Sequence, residues 1–217
     1  FGISVIPDKD NAEWLDDYAQ FMTIKEVNGG NSWMEWKAPL KVREEEVMYI
    51  VNVLYAEDIE FWKFLQFKFY QQWNKLRKYA NDNGIDIIGD LPIYVALDSA
   101  DVWANPQMFQ LDENLEPTFV AGCPPDGFSA TGQLWGNPLY NWEYHKNTGY
   151  AWWMERLGYV FKMYDVVRID HFRGFDEYYS IPYGHKTAEF GHWEKGPGIE
   201  LFRRAEKFLG WHEVIAE

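Results

Sequence analysis

Three short apolar runs, each following a helical stretch and each delivering a carboxylate, constrain this chain more than any other feature. They are Ile85-Asp86-Ile87-Ile88-Gly89-Asp90, Val166-Val167-Arg168-Ile169-Asp170 and Val214-Ile215-Ala216-Glu217. Runs this short, rich in β-branched residues and closed by polar ones, read as buried strands of a parallel sheet. Helix-to-strand units in succession make the chain α/β, and a (β/α) barrel is the closed form they favour. Three strands do not close a barrel. The expected fold is therefore part of a (β/α)8 TIM barrel, with long loop insertions at the C-terminal face of the strands. Side chains at that face line the reaction space, so Asp90, Asp170 and Glu217 are expected on one rim. Arg168 and Asp170 are alternate residues of one strand and point to the same side. There the guanidinium would hold the carboxylate ionised and fix its rotamer, as a nucleophile or electrostatic stabiliser requires. A structural ion pair at a strand end fits the same local pattern.

The intervening segments support the helix-to-strand order. Asn11 caps an amphipathic helix whose apolar positions 14, 15, 18, 21 and 22 share a face, and Gly29-Gly30-Asn31-Ser32 ends it. Trp33 to Pro39 is expected to be a loop, with Pro39 discouraging helix. From Arg43 to Asn81 no Gly or Pro interrupts a helical pattern, which reads as two helices broken near Ala56-Glu57-Asp58 and stopped at Asn83-Gly84. Between Asp98 and Asn141 the chain is rich in Pro, Gly, Asn and Asp, which marks an extended loop insertion of the functional kind. Gly149 to Met163 is helical, Gly174 to Pro197 is a second loop-rich excursion, and Gly198 to Gly210 is a helix with its own glycine stop. There is no repeat, low-complexity tract or linker, so residues 1–217 are read as one partial barrel domain.

Composition narrows the ligand. The chain has 34 acidic and 20 basic residues and a formal net charge of −14, which repels phosphate backbones and anionic membrane surfaces. Nucleic acid and membrane are therefore not expected partners, and no apolar run approaches the length of a membrane span. The start, Phe1-Gly2-Ile3, lacks an initiator Met and a signal pattern and reads as a cut end. Cys123 is the single cysteine, which suits a reducing, cytoplasmic setting. Aromatic residues make up 19% of the chain, and flat aromatic faces beside carboxylates and amides suit pyranose rings, so carbohydrate is the expected ligand. For any single ring, core or interface packing is the better explanation. The five histidines, at 145, 171, 185, 192 and 212, have no zinc-binding spacing, the Asp98 and Asp101 region lacks an EF-hand pattern, and no nucleotide-binding glycine motif occurs. No metal or cofactor is expected.

Two carboxyl groups flanking a glycosidic bond suffice for its cleavage: a separation of about 5–5.5 Å gives retention through a covalent intermediate, and a wider gap gives inversion. Asp170, beside Arg168, is the expected nucleophile. Glu217, following an apolar strand, is the expected acid and base, its pKa raised by that setting.

Longer motifs add a resemblance. They are Gly89-Asp90-Leu91-Pro92-Ile93-Tyr94-Val95-Ala96, Asp98-Ser99-Ala100-Asp101-Val102-Trp103, Gly122-Cys123-Pro124-Pro125-Asp126 to Phe128-Ser129, Gly132-Gln133-Leu134-Trp135-Gly136-Asn137-Pro138-Leu139-Tyr140, Arg168-Ile169-Asp170-His171-Phe172-Arg173-Gly174 and Trp193-Glu194-Lys195-Gly196-Pro197-Gly198. In content and order they resemble the amylomaltases, the 4-α-glucanotransferases or disproportionating enzymes of glycoside hydrolase family 77. The resemblance implies Asp170 as nucleophile, Glu217 as acid/base, Arg168 and Asp90 as substrate-site partners, and Gln133 and Trp135 in the glucan groove. Asp126 and His171 match family positions near the sugar. It implies transfer of α-1,4-glucan segments between maltooligosaccharides without a cofactor. It also implies that the chain is an internal fragment covering about strands three to five, inactive alone because a third family acid lies on a later strand. An α-amylase-type retaining hydrolase and a non-catalytic glucan-binding module are the competing expectations.

Overall fold

The computed structural model describes residues 12–217; the capping role expected of Asn11 falls outside them. The chain forms two compact units, one from the residues up to Leu76 with Asp98–Pro106, the other from Arg77–Leu97 with Gln107–Glu217.

The first unit is helical: α1 (Ala12–Val27), α2 (Ala38–Lys41), α3 (Glu45–Leu54), α4 (Ala56–Asp82), whose last turns from Arg77 belong to the second unit, and α5 (Ala100–Ala104). The break between α3 and α4 falls at Tyr55, next to the expected site. Pro39 does not prevent α2, contrary to expectation. It sits in the first helical turn, where a missing N–H has no partner to lose and the fixed φ suits the helix. Phe21, Trp36 and Trp103 pack as a triangle with ring centroids 5.5, 5.9 and 5.6 Å apart. The Arg43 guanidinium caps Trp103 at 4.6 Å, and the Trp103 indole N–H donates to the Leu40 carbonyl at 2.9 Å.

The second unit contains β1 (Ile88–Pro92), β2 (Phe119–Cys123), β3 (Gln133–Pro138), α6 (Trp142–Asn147), α7 (Ala151–Met163), β4 (Val166–Asp170), β5 (Glu177–Pro182), β6 (His192–Lys195), α8 (Ile199–Leu209) and β7 (Val214–Ala216). The three runs that end on carboxylates form one parallel sheet, ordered β1-β4-β7, so the α/β expectation is met. Leu91, Val167 and Ile169 are buried and alternate with Asp90, Arg168 and Asp170, as the two-residue period of a strand dictates. β1 starts at Ile88 and not at Ile85, because the backbone before it is already engaged: the Ile85 amide donates to the Ala80 carbonyl and the Ile87 amide to the Asp165 carboxylate. Asp90 consequently lies in the middle of β1, in register with Arg168, and not at its end.

The two excursions expected to be loops contain a second sheet, antiparallel and ordered β3-β2-β5-β6. Its core is Val120, Tyr179, Ile181 and Ala188. Gly122 allows the β2-β3 approach, since a Cβ there would lie 2.1 Å from the Gln133 carbonyl oxygen.

Candidate active site

The parallel sheet brings three acids to one base. Arg168 Nη1 bonds Asp90, and Nη2 bonds Asp170 Oδ1 at 3.1 Å and Glu217 Oε2 at 2.5 Å. Register explains the gathering. Asp90 lies level with Arg168 on β1, Ile215 lies level with it on β7, and Glu217, two residues beyond Ile215, emerges on the same side. The Asp90 hydrogen bond, followed by the charges of Asp90, Glu217 and Asp170, raises the Arg168 pKa above its ordinary value. Because Asp170 and Glu217 share one nitrogen, their nearest oxygens are separated by at most the two bonds laid end to end, 5.6 Å. β7 is exposed along its length, and the carboxylate is 56% exposed with Arg168 as its neighbour.

His171 follows Asp170 directly. Its left-handed backbone, φ 54°, turns the chain out of β4 and aims the ring at Trp135, edge to face at 4.8 Å. Burial holds the His171 pKa below its ordinary value; the Asp170 charge opposes that and the Arg173 charge adds to it. Its Nε2 is buried without a hydrogen-bond partner. Trp135 belongs to β3, an edge strand, and its indole N–H donates to Gln133 Oε1 at 3.0 Å, so these two expected groove residues are coupled. Asp126 is not joined to the acid cluster by any of these contacts. Its Oδ1 accepts the Phe128 and Ser129 amides, each at 2.8 Å, which folds the loop before β3 into a side-chain-capped turn.

Two residues of the setting were not singled out from sequence. Tyr94, just beyond β1, packs its ring 6.3 Å from Trp135 and 6.2 Å from His171, and Arg156 of α7 binds the backbone leading to it. Tyr94 belongs to the Gly89–Ala96 motif, but only its three-dimensional neighbours give it a place. Among the described residues no group of three or more His, Cys, Asp or Glu side chains is arranged to hold a metal ion, and no helix is long and apolar enough to cross a membrane.

Fold and site together define an α/β chain whose acids converge on one guanidinium, beside an indole, an imidazole and a carboxamide. The chain belongs to the 4-alpha-glucanotransferase family, glycoside hydrolase family 77, whose model matches residues 8–217. It is 50% identical over 210 residues to a 4-alpha-glucanotransferase of Clostridium butyricum, covering 96% of this chain and 43% of that one. It is 49% identical over 209 residues to one of Aquifex aeolicus, covering 96% and 43%. The solved amylomaltase of Streptococcus agalactiae, in complex with acarbose, superposes with a TM-score of 0.92 at 46% identity, over 95% of this chain and 42% of that one. The chain thus spans less than half the length of the relatives it matches.

Proposed function

We propose that the protein containing this chain is a 4-α-glucanotransferase that moves α-1,4-glucan segments between maltooligosaccharides by retaining double displacement. The observation that carries this is the shared nitrogen of Arg168. It gathers the Asp170 and Glu217 carboxylates on one guanidinium nitrogen, the close pairing that a retaining enzyme uses with its carboxyl groups about 5–5.5 Å apart. Asp170 is the nucleophile: its carboxylate attacks the anomeric carbon as the glycosidic C–O bond breaks. Glu217 protonates the departing oxygen. A carboxyl group that carries a proton cannot keep a close ion pair with Nη2, so this step requires Glu217 to swing from Arg168 toward the leaving oxygen. In the second half the 4-hydroxyl of another glucan gives its proton to Glu217 and displaces Asp170, restoring the α configuration.

Arg168 and Asp90 hold Asp170 in place, Gln133, Trp135 and His171 line the glucan groove, and Asp126 shapes the loop that leads into it. Transfer prevails over hydrolysis where an aromatic wall excludes water and orients the acceptor hydroxyl. We place β1, β4 and β7 as neighbouring strands, about the third to fifth, of a (β/α)8 barrel, and residues 1–217 within one catalytic domain with its insertions. The single Cys123 favours a reducing compartment, the cytoplasm. The net charge of −14 disfavours nucleic acid as a partner.

The test is incubation of the full-length protein with maltotriose and chromatography of the products. Glucose together with maltotetraose and longer oligomers is expected. Glucose and maltose without longer products would make the protein a hydrolase, and unchanged maltotriose would leave it a binding module.

A further inference from the structure

Arg156 lies outside the acid cluster, yet its guanidinium makes three hydrogen bonds at the exit of β1, two of them to backbone carbonyls. From α7 its Nη2 donates to the Pro92 carbonyl at 2.7 Å. Its Nη1 donates to the Ile93 carbonyl at 3.0 Å and to the Tyr140 hydroxyl at 2.9 Å. Tyr140 in turn donates to the same Ile93 carbonyl at 2.7 Å. The guanidinium is held over two indoles, 5.1 Å from the Trp152 centroid and 5.2 Å from that of Trp153, so its fork cannot rotate away from these acceptors without losing both stacks.

What this fork fixes is the exit of β1. Ile93 donates its own amide to the Asp170 carbonyl at 3.3 Å, and the next residue is Tyr94. The Tyr94 ring stacks on Tyr140, 6.0 Å apart at 19°, and its other neighbours are Trp135 and His171. One side chain therefore ties the strand-end backbone to the ring behind the groove-lining indole and imidazole.

We propose that Arg156 is a positioning residue for glucan binding, acting through Ile93 and Tyr94 to hold Trp135 and His171 in register with Asp170. This rests on the glucanotransferase reading above. A Lys at this position keeps the charge but not the planar fork that reaches two carbonyls and a hydroxyl. Without the fork the Tyr94 wall loses its reference to β1, and misplacement of binding groups weakens substrate capture before it touches the proton transfers.

The test uses the full-length protein with R156M, R156K and Y94A substitutions and the double variant R156M/Y94A, measuring maltotriose disproportionation, acarbose affinity by calorimetry and thermal unfolding. R156M is expected to raise KM and weaken acarbose binding about tenfold, the pattern of lost uniform binding. It is expected to leave kcat within about twofold, with R156K in between. In the Y94A background the R156M change is expected to add less than about twofold, because the two residues act along one path. Loss of activity in proportion to the folded fraction, with KM unchanged in R156M and R156K alike, would overturn the proposal. So would an R156M effect undiminished in the Y94A background. Wild-type protein that neither turns over maltotriose nor binds acarbose would sink the glucan reading and this inference together, whereas wild type that does both isolates the fate of Arg156.

Discussion

His145 makes the stability of this chain depend on pH in a calculable way. It lies on α6 with no exposed surface, surrounded by the rings of Tyr140 at 5.4 Å, Trp142 at 5.6 Å and Trp152 at 5.9 Å. Its Nε2 bonds the Met108 carbonyl at 3.1 Å, while Nδ1 is buried without a partner. Burial pushes the imidazole pKa down to about 4 from 6.5, and the Met108 carbonyl offsets only part of that. Above pH 6.5 both folded and unfolded states are neutral at this residue and the difference vanishes. Between pH 6.5 and 4 the unfolded chain takes up a proton that the folded chain refuses, so stability falls as pH falls, by about 1.4 kcal/mol per unit. The accumulated loss is about 3 kcal/mol, a large share of a typical domain's stability. The perturbation is His145→Gln, which places an amide nitrogen near Nε2 and cannot ionise. Urea unfolding followed by indole fluorescence, from about pH 7 to about pH 4, is expected to give a wild-type stability that declines more steeply than the variant's by that slope. Parallel declines would refute the assignment of a buried neutral imidazole, whatever the offset between the two curves.

Asp165 supplies a second acid-sensitive lock. Burial alone would raise its pKa, but Arg77, the Ile87 amide and Asn81 outweigh that and bring it to about 2 from 3.8. Its contribution, about 2 kcal/mol, is present above pH 3.8 and lost as pH falls to 2, so D165N should lower the unfolding midpoint at neutral pH and narrow its gap to wild type in acid. Gly89→Ala would put a Cβ 2.1 Å from the Tyr164 ring, an overpacking cost of about 1–3 kcal/mol that calorimetry should register and that Y164A should relieve. Arg168→Met leaves Asp90, Asp170 and Glu217 facing one another without their shared cation. In the full-length protein it should reduce maltotriose disproportionation by at least about a hundredfold.

The parallel sheet was legible because its strands announce themselves locally. Val166, Val167 and Ile169 are β-branched, and Arg168 and Asp170 flank Ile169 in the two-residue period of a strand. The antiparallel sheet was not, because β2 and β3 carry Gly122, Gly136 and Pro138 and depend on pairing with each other and with β5, contacts that no local period reports. At the site, the sequence pairs Arg168 with Asp170 through the two-residue strand period. That Asp90 and Glu217 share the same guanidinium depends on the register of three strands, which sequence spacing does not encode. Tyr94, Tyr140 and Arg156 converge from a strand exit, a loop and a helix, so their association exists only after folding. β1 starts later than its composition suggests for a local reason: Ile85 and Ile87 have the composition of a strand, but their amides are already committed to Ala80 and Asp165.

The central claim is that Asp170 becomes covalently bound to a glucosyl segment while Glu217 handles the protons. Its most direct test is peptide mass mapping of the full-length Glu217→Gln variant after brief reaction with α-maltosyl fluoride and acid quenching. Fluoride leaves without protonation, so the first step proceeds in this variant, while the missing base slows the second. The expected result is a maltosyl adduct on the peptide that contains Asp170, absent when Asp170→Asn is combined with Glu217→Gln. Consumption of the fluoride without an adduct, or an adduct on another residue, would contradict it.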